Sequence, residues 1–161
     1  MEARLNGDTM REAAVEDLEV VLHHRRRMFE DMGYRDEAAL DLMVASSAVL
    51  LKKGLADGSY RGWLVERPGA GVIAGGGVIS LEFQPHPQNA GSRRSWIVNM
   101  YTEPEHRRRG LARWLVEAIV GWCREAGLPS VYLHASNDGR PLYASFGFEP
   151  TSEMRLDLTK R

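Results

Sequence analysis

A strand-like run from Trp96 to Thr102 passes through Glu103-Pro-Glu-His106 and Arg107-Arg-Arg109 to Gly110, where an amphipathic helix begins. The helix is expected to run to Ala126, because Leu111, Trp114, Leu115, Ala118, Ile119 and Trp122 recur at i, i+3, i+4. Arg113, Glu117, Arg124 and Glu125 fill its other side, Gly127 stops it and Pro129 prevents resumption. A glycine at the start of a helix that follows a strand lets the backbone approach a ligand, and the first turn offers unpaired N–H groups. With the helix dipole and three successive arginines, a phosphate or diphosphate is the natural guest. A solvated basic turn before an ordinary helix fits the same residues.

The other segments are expected to build a mixed α/β (α+β) domain around this unit. Residues 1–9 read as a loose tail before a short strand at 10–14. Helices follow over 17–32 and 36–53, the second capped by Asp36, buried along Leu40, Met43, Val44, Ser47, Leu50 and Leu51, and closed by Gly54. Tyr60 to Glu66 and Val72 to Phe83 flank Arg67-Pro-Gly-Ala-Gly71 and predict an antiparallel hairpin. Gly75-Gly76-Gly77 lies inside its second strand and marks a bulge or close packing. Residues 84–95 read as a loop. A short strand at 131–134, a brief helix at 141–145 and a final strand pair within 148–158 complete the chain. With no repeat or low-complexity linker, residues 1–161 form one domain.

Charge narrows the partners. The 21 Lys and Arg nearly balance the 22 Asp and Glu, for a net charge of −1, so any anion site is local and a nucleic-acid partner is disfavoured. His23-His-Arg-Arg-Arg27 scatters around its helix and reads as a solvated face. No stretch approaches the ~20 apolar residues that a membrane span needs. The one cysteine, Cys123, makes no internal disulfide, supplies no thiolate cluster for a metal, and reads as a packing residue in a cytoplasmic protein. Neither a Walker phosphate loop nor a Gly-x-Gly-x-x-Gly helix start is present.

The hexapeptide Arg107-Arg108-Arg109-Gly110-Leu111-Ala112 resembles the Gln/Arg-x-x-Gly-x-Gly/Ala loop of the GNAT superfamily of acyl-CoA N-acyltransferases. Tyr143-Ala-Ser-Phe-Gly147-Phe148 is similar to that family's tyrosine before x-x-x-Gly-Phe, and the order of elements agrees along almost the whole chain. The resemblance implies a mostly antiparallel mixed sheet of about six to seven strands with about four helices. It implies acetyl-CoA as co-substrate, no metal, and transfer of the acetyl group to a small-molecule or peptide amine. A homodimer is compatible with such folds. An idle acyl-CoA-binding regulatory module and an acetyltransferase acting on aminoacyl-tRNA are the rival readings.

Site roles follow from the same resemblance. Arg107 to Ala112 would hold the diphosphate, and Tyr101 and Thr102 would border the pantetheine arm. The Met100 amide would polarise the thioester carbonyl, and Tyr143 would protonate the leaving thiolate. Where many members place a cofactor-contacting asparagine this chain has Ser136, with Asn137 next to it; both are candidates. A carboxylate that some members carry on the fourth strand aligns with Trp96, which leaves Glu82, Glu103 and His134 as candidate bases. Met28, Phe29, Met32, Tyr34 and Met43 gather on the two helices that frame the acceptor in this family, and core packing is the favoured reading of them.

Overall fold

The computed structural model describes residues 3–160. Five strands pair antiparallel in sequence order: β1 (Ala3–Leu5), β2 (Asp8–Glu12), β3 (Tyr60–Arg67), β4 (Gly71–Glu82) and β5 (Arg93–Thr102). Four helices flank them, α1 (Leu18–Asp31), α2 (Glu37–Asp57), α3 (Leu111–Glu125) and α4 (Arg140–Ser145), with single 3₁₀ turns at Val15–Asp17 and Pro104–His106.

The periodicity in α3 translates directly into burial. Leu115 and Ile119 are fully enclosed and meet Trp63, Val65, Val78 and Ile97 on one face of the sheet. Each such side chain contributes roughly 1.5–3 kcal/mol when taken from water. On the other face, α1 and α2 pack Val21, Leu22 and Leu51 against Tyr60 and Ile79. The sheet therefore separates an α3 side from an α1/α2 side.

Several expectations are corrected. Residues 3–5, read as part of a tail, pair with 8–10 as a hairpin. Helix α2 continues past Gly54, which packs on Tyr60, and ends at Gly58, whose φ of +81° supplies the left-handed cap. Asp36 does cap its start, accepting from the Ala39 amide at 3.1 Å, but Leu50 lies exposed rather than on the buried side. Among the described residues the sheet has five strands, not six or seven. Segment 131–134 makes a single parallel bridge, Trp96 to Tyr132, and 148–158 forms no strand pair among the described residues. A strand exists only where a neighbouring ladder satisfies its amides, and Met154, Leu156 and Leu158 have none.

One buried ion pair ties the hairpin to the loop before α3. Arg67 grips Asp8 through two 2.7 Å hydrogen bonds, and its third nitrogen contacts His106 Nδ1 at 2.9 Å. The Asp8 carboxylate is enclosed, and Arg67 holds its pKa below the usual carboxylate range despite burial. Removing the arginine strands that charge, so Arg67→Met is expected to lower the denaturant midpoint at pH 7. A depressed folded pKa stabilises above the unfolded value and is lost as pH falls through the folded one, so the deficit should shrink below pH ~4. An unchanged midpoint at pH 7 would refute the assignment.

Candidate functional site

The site begins with a fault in the β4–β5 ladder. Gly77 pairs with Val98 but Gly75 pairs with Tyr101, so Gly76 alone faces both Asn99 and Met100. Asn99 takes the extra residue of this bulge at φ +59°. Gly76 lets the Met100 side chain lie close across the ladder, since a Cβ there would overlap the Met100 sulfur unless that flexible chain moved. The run of glycines read from sequence is thus a bulge and a close contact at once.

The bulge changes which amides face outward. The Ile97 amide donates to the Tyr132 carbonyl at 2.8 Å, and Tyr132 returns a 3.0 Å bond to Ser95. Amide direction alternates along a strand, so Val98 points into β4. After the inserted residue, Tyr101 points into β4 as well, and Glu103 follows with a 2.8 Å bond to the Ile73 carbonyl. Met100 and Thr102 therefore aim their N–H groups at the edge beyond Tyr132, where β5 has no further bridge among the described residues.

That open edge runs towards the start of α3. Gly110 is the N-cap of α3 at φ +80°, and no side chain caps the helix, so the first-turn amides are unoccupied by the cap that Ser or Asp would provide. Arg108 is also left-handed, at φ +63°. Beside this turn lies a cleft of about 650 Å³ lined by Arg108, Gly110, Ala112, Arg113, Pro141 and Leu142. Arg107 and Arg108 divide their work. Arg107 is committed to structure, bonding the Thr102 carbonyl at 2.9 Å and Asp31 at 2.6 Å, whereas Arg108 lines the cleft. An uncapped helix start, two left-handed residues and an adjacent cationic cleft fit a diphosphate.

The cleft brings α4 to the same place. Arg113 donates to Ser145 Oγ at 3.0 Å and lies 5.1 Å over the Phe146 ring. Tyr143, on α4, is half-buried, stands T-shaped against Phe148 at 5.8 Å, and has its pKa raised by burial. Ser136 Oγ accepts from the Gly139 amide at 3.1 Å, which sets the turn leading into α4, and Asn137 is exposed beside it.

The candidate bases separate. Glu82 is opposite Arg93 at the far end of the sheet, and the seven residues to Met100 span roughly 23 Å, so it is not brought to the site. His134 is 83% exposed, with Glu153 at 3.8 Å. Glu103 leads from β5 into the loop, half-buried, and meets His23 Nε2 at 2.7 Å. Tyr101 turns its amide into β4 and its ring under Arg107 at 5.5 Å, away from the open edge.

Sequence reasoning missed the residues on the α1/α2 side of the bulge. His24 is enclosed against Gly75 and Tyr101; its Nε2 has no partner among the described residues, and burial pushes its pKa down to about 4, leaving it neutral. Arg25 reaches Ser47 Oγ at 2.9 Å and Asn99 Oδ1 at 3.0 Å. These contacts join positions far apart in sequence, and no local spacing announces them. Of the apolar group on these helices, Phe29 packs edge-on to Tyr34 and beneath Arg25, while Met32 and Tyr34 remain exposed. No helix is long and apolar enough to cross a membrane among the described residues.

A family model described as the acetyltransferase (GNAT) family matches residues 16–148. The chain is similar to a crystal structure of a GCN5-related N-acetyltransferase from Ralstonia eutropha, with 38% identity and a TM-score of 0.86 over 95% of this chain and 99% of that one. It is similar also to a Clostridium acetobutylicum protein, described as a predicted acetyltransferase and solved with acetyl-CoA. There the identity is 28% and the TM-score 0.84, over 96% of this chain and 98% of that one. Glucosamine-6-phosphate N-acetyltransferase from Arabidopsis thaliana, at 14% identity and a TM-score of 0.64 over 93% and 97%, shares the fold alone. No curated protein sequence matches.

Proposed function

The chain belongs to the GNAT acetyltransferase family, and on that premise we propose that it transfers an acetyl group from acetyl-CoA directly to the primary amine of an acceptor. The observation that carries this is the meeting of two open backbone edges: the uncapped start of α3 and the outward amides of Met100 and Thr102. When bound, acetyl-CoA supplies the activated acyl group. The α3 N–H groups and Arg108 hold its diphosphate, and the Thr102 amide aligns the arm between the two ends.

The Met100 N–H donates to the thioester oxygen as charge develops there, an effect that costs ~10²–10³ in rate when one such donor is lost. Tyr143 keeps its proton at neutral pH and gives it to the departing sulfur. Glu103, which meets His23 in the loop that leaves β5, takes a proton from the incoming amine, directly or through water. A lysine-like amine needs such help more, since deprotonating it at pH 7 costs about 4.6 kcal/mol against about 1 kcal/mol for a peptide α-amine. Residues of one catalytic domain supply all these groups, and the lone buried Cys123 fits a reducing cytoplasm.

Thiol release from acetyl-CoA, followed across a panel of small and peptide amines, tests the reading. Amine-dependent release above hydrolysis is expected. Micromolar CoA binding with no such release from any amine would make the chain an acyl-CoA-binding module instead.

A further inference from the structure

The arginines of α1 differ in their company. Arg26 meets Glu30, Glu37 and Asp41, and Arg27 meets Glu30. Arg25, half-buried, has no carboxylate within ion-pair reach among the described residues. Its guanidinium rests over the Phe29 ring at 5.1 Å and is held by two neutral oxygens, Ser47 Oγ and Asn99 Oδ1. Those bonds use Nε and one proton of Nη1, which leaves both protons of Nη2 without a partner among the described residues. Burial lowers its pKa, but an arginine stays cationic at any physiological pH.

An enclosed charge without a counter-ion is costly, and a neutral side chain of similar size would fill the space without that penalty. The anchors also fix where the charge sits. Ser47 and Asn99 are both buried, and Asn99 is the bulge residue immediately before Met100. The free guanidinium edge is therefore held on the α1/α2 side of the sheet, one residue from the amide that faces the reacting carbonyl.

We propose that Arg25 is a specificity residue that binds an oxyanion of the acceptor, so that the substrate is an amine carrying a carboxylate or phosphate group close to its nitrogen. This inference rests on the acetyl-transfer reading above. It accounts for a fixed, uncompensated fork, since a guanidinium pairs bidentately with either oxyanion. It helps the chemistry too. A nearby anion holds a proton on the amine, and pairing that anion with Arg25 releases the amine to attack.

Matched pairs test it: each proteinogenic amino acid against its primary amide, and phosphoethanolamine against ethanolamine, with wild type, Arg25→Gln and Arg25→Lys. Acetyl-CoA binding to each protein is measured separately by calorimetry. In wild type the oxyanion member of the best pair should be favoured about 30-fold in kcat/KM, the worth of one charged hydrogen-bonded contact. Arg25→Gln should bring the members of that pair within about threefold and leave acetyl-CoA affinity unchanged, while Arg25→Lys keeps part of the preference. Preference within the amino-acid pairs alone assigns a carboxylate, and preference within the ethanolamine pair alone assigns a phosphate. Equal rates within every wild-type pair, no turnover of any oxyanion amine despite acetyl-CoA binding, or a preference that survives Arg25→Gln would overturn the inference. Absence of acetyl-CoA binding to wild type is a separate result, which removes the underlying reading and this inference with it.

Discussion

Gly110→Glu should abolish acetyl-CoA binding, with calorimetric affinity falling by a factor of 100 or more, about 3 kcal/mol, while the protein remains folded. The size of the effect comes from where the new side chain goes. A Cβ at Gly110 meets no atom within 4 Å, so a side chain can leave the backbone there without a clash at its first atom. Glutamate then projects a carboxylate at the uncapped turn and the cleft beside it, where an anionic diphosphate has to settle. The backbone cost is separable. Gly110 has φ +80°, so any L-residue there costs roughly 1–2 kcal/mol, and Gly110→Ala should show that share in stability with a modest loss of affinity. A circular dichroism spectrum and unfolding midpoint close to those of the alanine variant would establish that glutamate acts on binding. Wild-type affinity in Gly110→Glu would end the diphosphate assignment.

The two halves of this site were unequally legible in the sequence. The α3 half could be read because it is local: six apolar positions, a glycine start and a glycine stop lie within one helix, and burial of Leu115 and Ile119 enforces them. The Met100 half was legible only through resemblance. Its amide faces outward because one extra residue is accommodated at Asn99 opposite Gly76, where the Met100 side chain lies close across the ladder. Register is a property of two strands together, so neither strand's pattern states it. The same reason explains the strands that did not form. Met154, Leu156 and Leu158 alternate with polar residues as a half-buried strand would, yet they are 95, 80 and 85% exposed. Alternation describes fit to a pleated neighbour, and among the described residues none pairs with that segment. Arg25 was hidden in a different way. It stood in a run of basic residues that reads as a solvated face, and only the paired acids around Arg26 and Arg27 set it apart.

Tyr143→Phe should lower kcat by about 10²–10³ while KM for acetyl-CoA stays within about threefold. The substitution removes one oxygen and keeps the ring, so the T-shaped contact with Phe148 and the backbone bonds that Phe146 and Phe148 donate to the Tyr143 carbonyl survive. Stability should therefore be nearly unchanged, which separates an acid from a packing residue. The pH profile gives a second, independent sign. A general acid has to be protonated, so activity is retained below its pKa and lost as pH rises through it. Burial raises the Tyr143 pKa above the ordinary phenol value of about 10, so any alkaline fall in kcat owed to this group lies beyond that pH in wild type and is missing from Tyr143→Phe. The raised pKa also fixes the timing of proton transfer. A phenol is a weaker acid than a thiol by about 2 kcal/mol in water, and burial widens the gap, so the proton moves only as negative charge accumulates on sulfur. A donor of this kind would act on the transition state and leave the ground state alone, which is why the loss should fall on kcat and spare KM. A single-turnover rate equal to wild type would remove the acid role and leave Tyr143 as the aromatic that positions α4 beside the cleft.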